Sequence, residues 1–207
     1  MTSPGYRPRW PGADLPGRRL FVAVPLPQTS TAAIAKLVND VRAAGVPGGG
    51  RDVRWVRLDG LHMTMRFLGP TLEERVAAAA EAVRVAAASS AAFDVVIGGA
   101  GTFPPTGRPR ALWLGVRDGE AELAELAAAV DRALIANGWE FEMKPFRAHL
   151  TLARSDGVPA GASIGAHLRD VAADLRIGFR ADRMGLFESL TGGGPARYEP
   201  LLVVDLA

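Results

Sequence analysis

Leu61-His62-Met63-Thr64-Met65-Arg66-Phe67-Leu68-Gly69 and Phe146-Arg147-Ala148-His149-Leu150-Thr151-Leu152-Ala153-Arg154 carry the same short pattern, His-x-Thr, inside the same alternation of apolar and polar residues. An alternation of period two is that of a strand with one face in the core. It sends His and Thr to one face while Met63, Met65, Leu150 and Leu152 enter the other. Each strand therefore presents an imidazole beside a hydroxyl. An imidazole transfers protons near neutral pH, and a hydroxyl donates to an anionic oxygen. The chain has three His, two of them in this pattern. Facing strands would make a two-imidazole acid/base site with two hydroxyl donors.

The flanking sequence repeats as well. Residues 19–24 form a continuous apolar run closed by Pro25 and Pro27, a buried strand. Ile34, Leu37, Val38 and Val41 follow at helical spacing, with Thr29, Ser30 and Thr31 as cap candidates and Gly45 as a stop. A turn over 47–50 and a short strand over 53–56 lead to the first His strand. Beyond it, Thr71 and Glu74 form a capping-box pattern for a helix running to about Ala88. Residues 93–97 read as a strand, 98–109 as a Gly/Pro-rich loop and 111–116 as another strand. Leu123, Leu126, Ala127, Val130 and Leu134 mark a helix that Gly138 stops, just before the second His strand. Each half thus runs apolar strand, amphipathic helix, His-x-Thr strand. The repeat predicts two similar lobes related by a pseudo-twofold axis, one imidazole from each. A helix over 162–171 and strands over 175–179, 183–189 and 198–206 complete the chain, with a loop over 191–195. Consecutive strands favour antiparallel pairing, so the fold class is α+β.

At 207 residues, 48% apolar and 22% charged, the sequence has the balance of one ordinary globular domain. A net charge of +2 does not by itself argue for tight nucleic-acid binding. The absence of Cys excludes disulfides, thiolate zinc sites and Cys nucleophiles. Residues 1–17, with four Pro and three Gly, read as a flexible arm, which leaves 18–207 as a single bilobal domain. The arm lacks the apolar core of a signal peptide, and Glu81 and Arg84 interrupt the Ala-rich stretch that follows Val76, so a cytoplasmic monomer without membrane spans is expected.

At these residues the sequence resembles the two-histidine phosphoesterase superfamily, and most closely its bacterial and archaeal RNA 2',3'-cyclic phosphodiesterase branch, the 2'-5' RNA ligase-like proteins. The matching blocks are 19–24, Arg54-Trp55-Val56 with 61–69, Phe103-Pro104, 110–116, 146–154 and Phe187-Glu188-Ser189. The resemblance implies a bilobal antiparallel fold with a central cleft, no metal or other cofactor, and hydrolysis of a 2',3'-cyclic phosphate at an RNA end, or in a small cyclic nucleotide, to a 2'-phosphomonoester. By it, His62 would be the proton donor and His149 the acceptor, with Thr64 and Thr151 holding phosphate oxygens. Ala148 departs from the Pro that the family commonly places before the second His, which removes no functional group. The same groups would serve 2'-5' joining of RNA ends. A protein that binds nucleotides or RNA ends without turnover is the alternative from a different class, disfavoured because binding alone needs no imidazole pair.

Other residues carry weaker signals. Arg66 and Arg147 fall two residues from Thr64 and His149 along their strands, so each is a phosphate-binding candidate or a solvated charge. Arg154 and Arg110 match family positions at strand ends, and Arg154 joins the phosphate-binding set. Trp113, Phe103 and Phe146 are either base-stacking residues or core. A zinc site would need a third ligand that no spacing supplies, and His167 reads as a surface residue.

Overall fold

The apolar run at the domain's start forms β1 (Arg18–Pro25), whose side chains divide between two environments. Leu20, Val22 and Val24 join the main core, whereas Phe21 and Ala23 belong to a small separate cluster with Phe187 and Tyr198. This division marks the two faces of the first sheet. The computed structural model describes residues 16–44, 53–191 and 195–207. The expected arm up to residue 15, the turn over 47–50 and the glycines at 192–194 lie outside the described residues.

The chain continues through α1 (Gln28–Ala43), β2 (Arg54–Trp55), a single 3-10 turn (Leu58–Gly60), β3 (His62–Thr71), α2 (Glu73–Ala88), β4 (Phe93–Phe103), β5 (Ala111–Asp118) and α3 (Glu120–Ala136). It ends with β6 (Leu150–Arg154), α4 (Pro159–Val171), β7 (Ile177–Ala181), β8 (Arg183–Leu190) and β9 (Arg197–Asp205). Two sheets result, ordered β3-β1-β8-β9 and β2-β6-β5-β4-β7. Every pairing in them is antiparallel. The fold is α+β, and the second sheet without β2 repeats the layout of the first: a His-x-Thr strand beside the apolar strand of its own half. The helices are exchanged between the sheets. α1 leaves β1 to pack on α4 and β7 of the second sheet, and α3 leaves β5 to pack on α2 and β3 of the first. Each half of the chain therefore contributes to both lobes.

Local chemistry explains where the elements differ from their sequence signals. α1 begins directly after Pro27, whose carbonyl accepts from Thr31 N–H at 3.0 Å. Thr29, Ser30 and Thr31 thus lie inside the helix rather than capping it, and the Ser30 hydroxyl donates to Gly178 O on β7. The capping box does not form either: Thr71 pairs with Arg18 as the last residue of β3, is buried, and its hydroxyl donates to Gly69 O. Glu73 and Glu74 still favour the helix start through the macrodipole. β4 runs through the expected loop as far as Phe103, because Gly98 and Gly99 lie within a register shift between Ile97 and Ala100 instead of ending the strand. Gly99 has φ +68°, a conformation glycine adopts without steric cost. Gly138 does stop α3: with φ +83° it donates to Ile135 O while Trp139 N–H reaches Leu134 O, closing the helix as a Schellman motif.

Candidate active site

The 3-10 turn delivers His62 to the start of β3, and the strand pattern then buries Met63 and Met65 in the core while His62 and Thr64 lie partly buried on the opposite face. β6 repeats this, with Leu150 and Leu152 buried and His149 and Thr151 on the other side. The two rings are held alike. His62 Nδ1 lies 2.7 Å from Gly60 O, and His149 Nδ1 lies 2.7 Å from Arg147 O, in both cases the carbonyl two residues earlier. Only a protonated Nδ1 can donate to a carbonyl, so the neutral ring carries its lone pair on Nε2. Each imidazole is thereby fixed in the tautomer that leaves Nε2 for chemistry.

The walls are aromatic. His62 packs against Phe21 (ring centroids 4.7 Å apart), Tyr198 edge-on (4.7 Å) and Phe187 (6.5 Å). His149 meets Phe103 edge-on at 5.0 Å and Trp113 at 6.3 Å. Trp113 lies across Gly101, where any Cβ would come within 2.2 Å of the indole. Burial in these walls pushes both imidazoles below their ordinary pKa, opposed by the backbone carbonyls that accept from Nδ1. The charge of His149 also acts on His62, and that of Arg154 on His149, both in the lowering direction. β3 and β6 are in contact. The structure thus brings His62, His149 and Arg154 together at the junction of the two sheets.

The other candidates separate. Arg66 does not share the face of Thr64. Val22 pairs with Arg66 and Ala23 with Thr64, so Met65 is an extra residue in a β-bulge. A bulge resets the alternation. Arg66 therefore turns to the helix side, where it is ion-paired with Asp131 of α3 and donates to Glu140 O, its side chain only 10% exposed. Its charge is committed to protein partners. Arg147 contributes its carbonyl to His149 and holds an exposed side chain, as does Arg110. Phe103 and Trp113 line the site beside His149, whereas Phe146 packs against the main core. His167 sits on α4, partly exposed.

Four aromatic neighbours of the site were not singled out by the sequence: Phe21, Phe187, Tyr198 and Phe67. Phe67 is 62% exposed and comes to the cleft face, 6.0 Å from Phe21, through the same bulge that removes Arg66. Phe21 lies in an unbroken apolar run, which gives no face assignment. Tyr198, one of two Tyr in the chain, was the available signal. Among the described residues no cluster of three or more His, Asp or Glu is arranged to hold a metal ion, and no helix is long and apolar enough to cross a membrane.

Two antiparallel sheets, each bringing one His-x-Thr imidazole to a shared cleft, define a two-histidine phosphoesterase. A model of the 2'-5' RNA ligase superfamily matches residues 27–193, and the chain belongs to that family. It is 32% identical over 176 residues to the RNA 2',3'-cyclic phosphodiesterase of Aeropyrum pernix, covering 84% of this chain and 95% of that protein. A protein of the same name from Geobacillus stearothermophilus is 35% identical over 134 residues, 65% of this chain, and the chain spans only 41% of that relative's length. The crystal structure of E. coli LigT complexed with 3'-AMP superposes with a TM-score of 0.66 at 25% identity, covering 91% of this chain and 98% of that one.

Proposed function

We propose that this phosphoric diester hydrolase opens the 2',3'-cyclic phosphate of an RNA end or a small cyclic nucleotide to leave a 2'-phosphomonoester, without a metal, with residues 18–207 acting as one bilobal unit. The observation that carries the proposal is the matched presentation of two imidazoles, each tied through Nδ1 to its own backbone carbonyl. His149 Nε2 takes a proton from water as the water oxygen bonds to phosphorus. The bond from phosphorus to the 3' oxygen breaks, and His62 Nε2–H gives that oxygen its proton. Exchange with solvent then restores both rings. Thr64, Thr151 and Arg154 donate to phosphate oxygens as charge builds on them.

Burial makes the cationic form of His62 costly, and the negative charge of the bound phosphodiester restores it. Substrate binding and protonation of the acid are thereby coupled. The names of the relatives and the 3'-AMP held by LigT support a nucleotide-sized phosphate ester as occupant. With the 5'-hydroxyl of a second RNA end in place of water, the same groups serve 2'-5' joining, the reaction in the family's name: His149 takes the hydroxyl proton and the 3' oxygen departs with a proton from His62. The test is turnover of 2',3'-cyclic AMP by the wild type, His62→Ala and His149→Ala. Each variant is expected to lose roughly 10²- to 10⁴-fold in rate, and the double variant much less than the product of the two. Retention of wild-type rate by either single variant would remove that His from the reaction.

A further inference from the structure

Tyr198 stands on β9, in the aromatic cluster on the cleft face of the first sheet, and takes no part in the proton transfers above. Its ring meets His62 edge-on at 4.7 Å and Phe21 at 5.3 Å. It also closes over Gly60, where a Cβ would lie 3.1 Å from Tyr198 Cδ2, and Gly60 O is the acceptor for His62 Nδ1. The ring is therefore fixed by apolar and backbone neighbours, and the phenol is its one polar handle. Arg154 ends β6 of the other sheet, and the charge of its guanidinium bears on both Tyr198 and His149. Tyr198 thus stands against His62 where β3 meets β6, the strand that follows His149. Burial raises the phenol's pKa above its ordinary value, so it keeps its proton throughout the range in which the imidazoles titrate.

We propose that the Tyr198 hydroxyl is a substrate-binding donor, giving a hydrogen bond to an anionic oxygen of the phosphate between His62 and His149. The inference rests on reading the cleft as a phosphodiester site. A donor fixed beside His62 would hold one of the phosphate oxygens that do not react and leave the in-line direction to the imidazoles. Tyr198→Phe removes the hydroxyl and keeps the ring against His62, whereas Tyr198→Ala removes both.

Two readouts separate the possibilities: kcat/KM for 2',3'-cyclic AMP across pH, and affinity of the full chain for inorganic phosphate by calorimetric titration. Tyr198→Phe is expected to lower both by about tenfold or more, the worth of one hydrogen bond to a charged acceptor, with the shape of the pH profile unmoved. Wild-type values for Tyr198→Phe with impairment only in Tyr198→Ala would overturn the proposal, leaving the residue as a wall for His62. If the wild type fails to turn over the cyclic nucleotide, the hydrolase reading falls, and phosphate affinity still decides on Tyr198. Weaker binding by Tyr198→Phe then supports the donor; equal binding, or none by the wild type, overturns it.

Discussion

The proposed mechanism asks His62 and His149 to be opposite in protonation while their surroundings push both toward neutrality. Burial in aromatic walls is the first cause in each case, and the backbone carbonyl that accepts from Nδ1 opposes it only in part. The free enzyme's kcat/KM should therefore follow a bell whose limbs lie on the acid side of the ordinary imidazole value of about 6.5. Steady-state rates from about pH 4 to pH 9 check this, and a profile without limbs would contradict two-imidazole catalysis. The same burial links to stability. A His whose folded pKa is lowered binds its proton more readily when unfolded, so the stability it contributes is full above about pH 6.5 and is lost as pH falls toward the folded value. Urea midpoints should thus be lower at pH 5 than at pH 8, and His62→Gln should narrow that difference. The hydroxyls are tested separately: Thr64→Val or Thr151→Val should slow turnover on the order of tenfold to a few hundredfold without unfolding the chain. Arg66 behaves in the opposite way. Arg66→Met leaves Asp131, only 17% exposed, without its partner. It should cost on the order of 3 kcal/mol in urea unfolding and leave KM of the folded protein unchanged.

Strand and helix periodicities place the two His strands and the four helices, because each depends on burial pattern within one segment, and the succession of strands along the chain gives the antiparallel character. Departures from periodicity are what the pattern hides. Extending the alternation from Thr64 to Arg66 fails at Met65, since a bulge is set by pairing with β1, a partner remote in sequence. Phe103 and Trp113 were legible as lining candidates beside His149, whereas the aromatic wall of His62 was not: Phe21 sits in an unbroken apolar run, and only the sheet order assigns one face of β1 and β8 to the helices and the other to the site. The helix starts were misplaced because Pro27 and the end of β3, rather than Thr or Ser side chains, determine where the chain turns. The role of Gly101 also emerges only in the folded sheet. Trp113 occupies the space its missing Cβ vacates, and the same indole stands beside His149. Gly101→Ala must displace the indole. It is expected to destabilise the chain by roughly 1–3 kcal/mol as an overpacking change and to slow turnover in the fraction that folds, checked by thermal melts alongside initial rates. Unchanged melting and rate would show that Trp113 does not set the position of His149.

At the scale of the molecule, the exchange of α1 and α3 between lobes makes each sheet depend on both halves of the chain, so the relation between the two imidazoles is built into the topology. The proposed mechanism asks for nothing beyond acid, base and hydrogen-bond donors from the chain, so turnover should survive exhaustive EDTA treatment. Loss on chelation with recovery on adding a divalent ion would require a different mechanism. The roles given to the two His also fix which bond breaks, since in-line attack puts the water beside His149 and the departing oxygen beside His62. Phosphorus NMR of the products formed from 2',3'-cyclic AMP by the chelated enzyme therefore tests the central claim in one spectrum. The account predicts the 2'-phosphomonoester as the predominant product; a predominant 3'-phosphate, or no hydrolysis at all, would contradict it.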